Sequence, residues 1–121
     1  MATFSKVKLS NSSNGKGIGL VATAFPISTT IHQTGTSSTI IDEVWLYAHN
    51  TDTTDRKVTI EYGGSSTTDL IEYTVKAESG LFLLVPGLIL TGTGSAVSTI
   101  TGFAAAAGVV NIFGYVNRIT P

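Results

Sequence analysis

Three observations predict an all-β domain: an antiparallel β-sandwich or jelly-roll-like fold of seven to nine strands with a short N-terminal arm. Threonine (19) and serine (12) are abundant in the 121 residues, while charged residues make up only 12%. β-Branched threonine suits the pleated, half-buried surface of a strand. Thirteen glycines join Asn, Ser and Thr in turn clusters that divide the chain into segments of about 8–14 residues, the spacing of an all-β domain. No segment is long enough for a crossover helix between parallel strands, which leaves an antiparallel sandwich or jelly roll, with a closed barrel as the alternative.

Residues 1–16 read as an N-terminal arm or short edge strand, with one candidate strand at Phe4–Leu9, and residues 17–121 as a single sandwich domain. Ser10 to Gly15 is a turn cluster ending in Asn-Gly, a pair that tolerates positive φ. From Gly17, the set Ile18, Leu20, Ala22, Ala24 alternates with Val21, Thr23, Phe25 until Pro26, which marks an edge or a bulge. Ile27, Thr29 and Ile31 continue as a weaker strand. The clearest strand is Thr39–His49: Ile40, Asp42, Val44, Leu46 and Ala48 face one way, Ile41, Glu43, Trp45 and Tyr47 the other. Both faces are largely apolar, as in a strand covered on two sides.

After the polar turn Asn50–Asp55, Val58, Ile60 and Tyr62 alternate with Lys57, Thr59 and Glu61, the pattern of a half-buried antiparallel strand. Gly63–Ser66 turns the chain into its hairpin partner, where Ile71, Tyr73 and Val75 alternate with Glu72, Thr74 and Lys76. Leu81–Val85, Pro86-Gly87 and Leu88–Leu90 follow, then a Gly-Thr turn at Thr91–Gly94 and a short strand at Ala96–Ile100. Ala104–Ala107 is too short for a stable helix. Val109–Val116 closes the domain as a strand apolar on both faces.

Composition excludes several functions. A net charge of −1 offers no field for a phosphate backbone, so no nucleic-acid partner is expected; Lys6, Lys8 and Lys16 read as solubilising charges on the arm. With no cysteine there is no disulfide framework, thiolate metal site or cysteine nucleophile. The N-terminal segment lacks an apolar core of the kind a secretion signal carries, and the longest apolar run, Leu81–Leu90, is about half the ~20 residues of a membrane-spanning helix. No membrane association is expected, and synthesis in a cytoplasm is.

No catalytic constellation emerges. His32 and His49 are the only candidate bases, and no Gly-x-Ser-x-Gly elbow accompanies them. Glu61 and Glu72 sit on the outer face of the predicted hairpin, where Lys57 and Lys76 balance them as a solvated surface rather than a glycosidase pair. Asp52 and Asp55, with Asp42 or Glu43, lack the spacing of an EF-hand loop, and aspartates in turns usually bond their own backbone. Gly15–Gly19 precedes a strand rather than a helix, so it does not form a phosphate cradle. Asn11-Ser12-Ser13 matches a glycosylation acceptor by chance. The chain is read as a non-enzyme with no cofactor, metal or catalytic residue.

What demands explanation is an excess of apolar strand surface. In a two-layer sandwich each strand buries one face and leaves the other polar. Segments 39–49, 81–90 and 109–116 carry large residues on both: Trp45 and Tyr47 against Val44 and Leu46, Phe82 and Leu84 against Leu81 and Leu83, Phe113 and Tyr115 against Ile112 and Val116. Loops or a partner subunit must cover them, because monomers rarely expose large apolar patches. The partner is the reading adopted, with Tyr47, Phe113 and Tyr115 placed near a subunit contact.

Ile41–Asn50 leading through a Thr-Asp turn into Val58–Gly64, the Ile-x-Tyr-x-Val strand at 71–75, the Pro86–Leu90 stretch with its Gly-Thr turn, and the terminal Val-Asn-Ile-Phe-Gly-Tyr-Val at 110–116 resemble small virion proteins of tailed bacteriophages. The resemblance spans residues 38–119, leaves out 1–16, and lies in strand-and-turn pattern rather than in a diagnostic motif. It implies a β-sandwich that decorates or cements a capsid, located in the virion and assembled in the host cytoplasm. Its implied partners are itself, as a homo-oligomer with a trimer favoured over a dimer, and the major capsid protein or other virion proteins. A tail, neck or fibre component binding carbohydrate or a receptor is the alternative, with Trp45 as the sugar platform.

Overall fold

The computed structural model describes all residues, 1–121, as nine strands and one short 3₁₀ turn at Thr67–Asp69. The strands are β1 (Thr3–Lys8), β2 (Ile18–Gly19), β3 (Thr29–Gln33), β4 (Ile41–Asn50), β5 (Arg56–Tyr62), β6 (Leu70–Val75), β7 (Phe82–Leu90), β8 (Thr99–Ala104) and β9 (Val110–Thr120). One sheet has the order β1-β9-β4-β7, with β2 also pairing β9; the other has the order β3-β8-β5-β6. Every pairing is antiparallel. Setting aside two-residue β2, the strands pair as nested partners: β1 with β9, β3 with β8, β4 with β7, β5 with β6. That nesting, folded over two facing sheets, is the wrapping of a jelly roll.

Period-2 alternation builds the interior. Val44, Leu46 and Ala48 of β4 and Ile112 and Val116 of β9 meet Ile31 of β3, Val58 and Ile60 of β5, Val75 of β6 and Ile100 of β8, forming one buried core. Each fully buried Leu, Ile or Val contributes about 1.5–3 kcal/mol. Leu9, Ile18 and Leu20, from the segment linking β1 to β3, enter the same core. Asn50 is buried where β4 ends: its Nδ2 donates to the carbonyls of Thr54 and Val75, and its Oδ1 accepts from Asp52 N–H. That side chain satisfies a buried turn the strands themselves do not reach.

The structure departs from the sequence reading in several elements. The alternating stretch from Gly17 forms a strand only at Ile18–Gly19; residues 20–28 leave the sheet as a loop that buries Leu20 and Ala22 and exposes Val21, Phe25 and Ile27. Segments 81–85 and 88–90 are one strand carrying two register shifts against β4. The penultimate strand begins at Thr99 rather than Ala96, because Thr91–Ser98 is held as a turn by side chains: Ser98 Oγ donates to the Thr91 carbonyl and Thr93 Oγ1 accepts from Ala96 N–H. Residues 3–8 pair with β9 along their whole length.

Two glycines permit the centre of the β1-β9-β4-β7 sheet. Gly87, in the left-handed region at φ 78°, lies at a register shift of β7, and a Cβ there would come within 2.8 Å of the Trp45 indole. A Cβ on Gly114 of β9 would overlap the Trp45 carbonyl oxygen. The sheet can therefore seat its one tryptophan flat against its outer face.

Candidate functional site

The outer face of the β1-β9-β4-β7 sheet holds the residues singled out for a subunit contact. Tyr47 lies on β4 opposite Phe113 of β9, and Trp45 opposite Tyr115. These side chains are half-buried by one another rather than freely exposed. Trp45 and Tyr115 stack with centroids 6.4 Å apart, Lys6 Nζ sits 4.7 Å from the Tyr115 centroid, and Phe113 packs over Gly17. Trp45 Nε1 and Asn117 Nδ2 both donate to Glu43 Oε1, which holds the Glu43 carboxyl below its usual range. The face is a self-packed mat in which the Trp45 indole N–H and the Glu43 carboxylate are paired.

Exposed apolar surface concentrates elsewhere. Along β7, the free edge of that sheet, Phe82, Leu83, Leu88 and Ile89 are all exposed, as is Leu81 just before it, with Ile89 at 61%. Leu83 and Ile89 stand opposite Tyr47 and Glu43 on the outer side, whereas Phe82 and Leu88 stand opposite Ala48 and Val44 on the inner side. Phe82 stacks on Tyr73 of β6 at 4.1 Å, joining the edges of the two sheets. A second patch is the β2–β3 loop, where Val21, Phe25 and Ile27 are each at least 60% exposed. Sequence reasoning gave Phe82 and Leu83 to the apolar excess but missed the loop, which it read as alternating strand.

Sequence reasoning also missed a buried polar cluster. Asp42, 1% exposed on the core side of β4, receives Arg118 of β9 through Nε (2.7 Å) and Nη2 (2.9 Å), and His32 of β3 through Nε2 (2.7 Å). His32 Nδ1 accepts from Ser10 N–H, so the ring proton sits on Nε2 and is donated to Asp42. Burial alone would raise the Asp42 carboxyl, but the hydrogen bonds and charges of Arg118 and His32 outweigh it and bring the pKa down to about 2. The cluster ties both sheets together at one end of the sandwich. It is not a catalytic dyad, because both ring nitrogens of His32 are occupied and the ring is 1% exposed. Burial, with a smaller contribution from Asp42, pushes the Tyr62 phenol well up, and its hydroxyl is buried without a partner.

The remaining polar candidates pair locally. His49 Nδ1 lies 3.0 Å from the Gly80 carbonyl. Glu72 pairs with Lys57 at 3.0 Å on the surface, as expected, but Glu61, read from the sequence as solvated, is buried, because the Ser28 and Thr101 hydroxyls cover it and donate to its carboxylate. Asp52 binds Arg56 and Thr53 N–H; Asp55 accepts from Ala77 N–H and pairs with Lys76, so both carboxyls are held below their usual range. Lys57 thus balances Glu72, whereas Lys76 balances Asp55 rather than either glutamate. No group of three His, Asp or Glu side chains is arranged to hold a metal. Three open grooves exist: about 410 Å³ beside Arg118 and Lys8, 360 Å³ lined by hydroxyls and glycines from Gly63 to Thr101, and 240 Å³ beside Phe103 and Glu72.

No protein-family model matches the chain, nor does any curated protein or solved structure.

Proposed function

We propose that this chain is a structural, non-enzymatic virion protein of the tailed-phage type, a decoration or cement protein that stabilises an assembled head through protein contacts. The observation that carries the proposal is the apolar surface left exposed along β7 and at Val21, Phe25 and Ile27, in a chain with few charges to keep such surface in water. A jelly-roll sandwich is also an architecture that capsid domains share with lectins and other proteins, so it supports the reading by analogy and does not establish it. The mechanism is mass action: a protein that fits only the assembled shell stabilises that shell in proportion to its occupancy. Itself and a shell protein are the proposed partners, and the virion the proposed location.

The test mixes the purified chain with DNA-free phage heads stripped of their outer proteins, then measures pelleted protein and shell melting temperature. Retention with a raised melting temperature is expected. A chain left in the supernatant, with shell melting unchanged, contradicts the proposal. The carbohydrate-binding alternative has less support, since the Trp45 indole is already engaged by Tyr115, Gly87 and Glu43. A change in Trp45 fluorescence on glycan titration would favour it.

A further inference from the structure

β7 combines three properties that natural sheet edges avoid together: it is nine residues long, unpaired on one side, and apolar on both faces. Edges are usually guarded by charges, and none is present here; the chain carries no charged residue from Ser79 through Asn117. Its guards are Pro86, which removes one N–H donor from the middle of the strand, and the two register shifts against β4. Side-chain packing rather than a continuous ladder must therefore supply most of any contact.

The order of side chains along this edge is self-complementary. If a two-fold axis passes through Val85, Leu81 of one copy falls beside Ile89 of the other, and Phe82 beside Leu88. Faces match as well as positions: Leu83 and Ile89 are on the outer side and Phe82 and Leu88 on the inner, with Leu81 two residues before Leu83. Together with Tyr73, these exposed residues leave the equivalent of about two and three-quarter large side chains in water, or about 500 Å² at ~180 Å² each. Two copies would bury about 1,000 Å², the lower bound for a specific interface.

We infer that the β7 edge binds the β7 edge of a second copy of this chain, forming an isologous two-fold dimer with Leu81 against Ile89 and Phe82 against Leu88 across the joint. The inference deepens the assembly reading and rests on it. A self-complementary edge builds a pair, whereas the family resemblance implies a trimer. The β2–β3 loop patch is then left free for a different partner.

The absence of cysteine makes the test clean. Leu81→Cys, Ile89→Cys and the double variant are oxidised mildly and run on a non-reducing gel, with sedimentation equilibrium of the unmodified chain in parallel. The inference expects a dimer at micromolar concentration and a covalent dimer from the double variant. The single variants should cross-link at least tenfold less, because their cysteines lie far apart across the two-fold. A Leu81→Lys/Ile89→Lys variant should be monomeric with an unchanged circular dichroism spectrum. A monomeric unmodified chain, or single variants that cross-link as well as the double, overturns it. Shell retention without dimerisation would remove this inference and leave the proposed function standing; dimerisation without shell retention would do the reverse.

Discussion

At Asp42, a buried carboxylate gathers two residues distant in sequence, buried His32 and Arg118, whose side chain stays one-third exposed to an open groove. Removing one partner of a buried ion pair leaves the other charge uncompensated, at a typical cost of about 3–5 kcal/mol. Asp42→Asn is expected to lose less than that, about 2–3 kcal/mol in urea unfolding, because the Arg118 left behind is one-third exposed and water can solvate it. The acid limb follows from the same carboxyl. Its pKa is about 2 when folded and near 3.8 when unfolded, so its stabilisation, about 2 kcal/mol, is complete above pH 4 and lost as pH falls toward 2. Urea midpoints between pH 5 and 2 check this, and Asp42→Asn should flatten that part of the profile. Tyr62→Phe makes the opposite prediction: deleting a buried hydroxyl that has no partner should be neutral or stabilising by up to about 1 kcal/mol in the same assay. The sequence did hold a clue to this cluster. Asp42 alternates with Val44, Leu46 and Ala48, and a carboxylate on a core face needs partners; which partners, at separations of 10 and 76 residues, only the fold could name.

At the scale of elements, legibility tracked how regularly a strand keeps its period. In β4, β5 and β6 the alternation is unbroken, and the buried residues Val44, Leu46, Ala48, Val58, Ile60 and Val75 could be read directly from it; Tyr73 is exposed, and Thr59 and Glu61, read as outward, are buried. Segment 18–25 shows the same alternation for another reason: Ile18, Leu20 and Ala22 are buried while the backbone leaves the sheet, and periodicity cannot tell a strand from a loop that dips repeatedly into a core. In β7, register shifts at Leu84 and Gly87 break the period. Gly87→Ala would meet the Trp45 ring and a backbone conformation that side chains resist; a loss of about 1–3 kcal/mol, with a changed Trp45 emission spectrum, is expected in thermal unfolding. For the β2–β3 loop, replacing Phe25 and Ile27 with serine should leave the melting temperature within a few degrees of the parent and reduce shell retention about tenfold or more, as measured by co-sedimentation.

Across the whole molecule, the sequence signalled that apolar strand surface exceeds what one small sandwich buries, on segments 39–49, 81–90 and 109–116 alike, with the subunit contact placed at Tyr47, Phe113 and Tyr115. Trp45, Tyr47, Phe113 and Tyr115 are half-buried, Trp45 stacked on Tyr115; the more exposed apolar residues lie at the β7 edge, as the sequence indicated, and at a loop in another part of the sandwich. Two separated apolar patches suit a protein that meets two kinds of neighbour, whereas the outer face of the other sheet is lined by threonines and by charges already paired, such as Lys57 with Glu72. Amide hydrogen exchange, compared between the free chain and the chain mixed with stripped phage heads, tests this division most directly. The account predicts exchange along residues 81–90 that slows as the free chain is concentrated through the micromolar range, slowed exchange along 21–28 once heads are added, and no change over Thr99, Thr101 and Phe103 of β8. Protection confined to the polar grooves, or none anywhere, would contradict it.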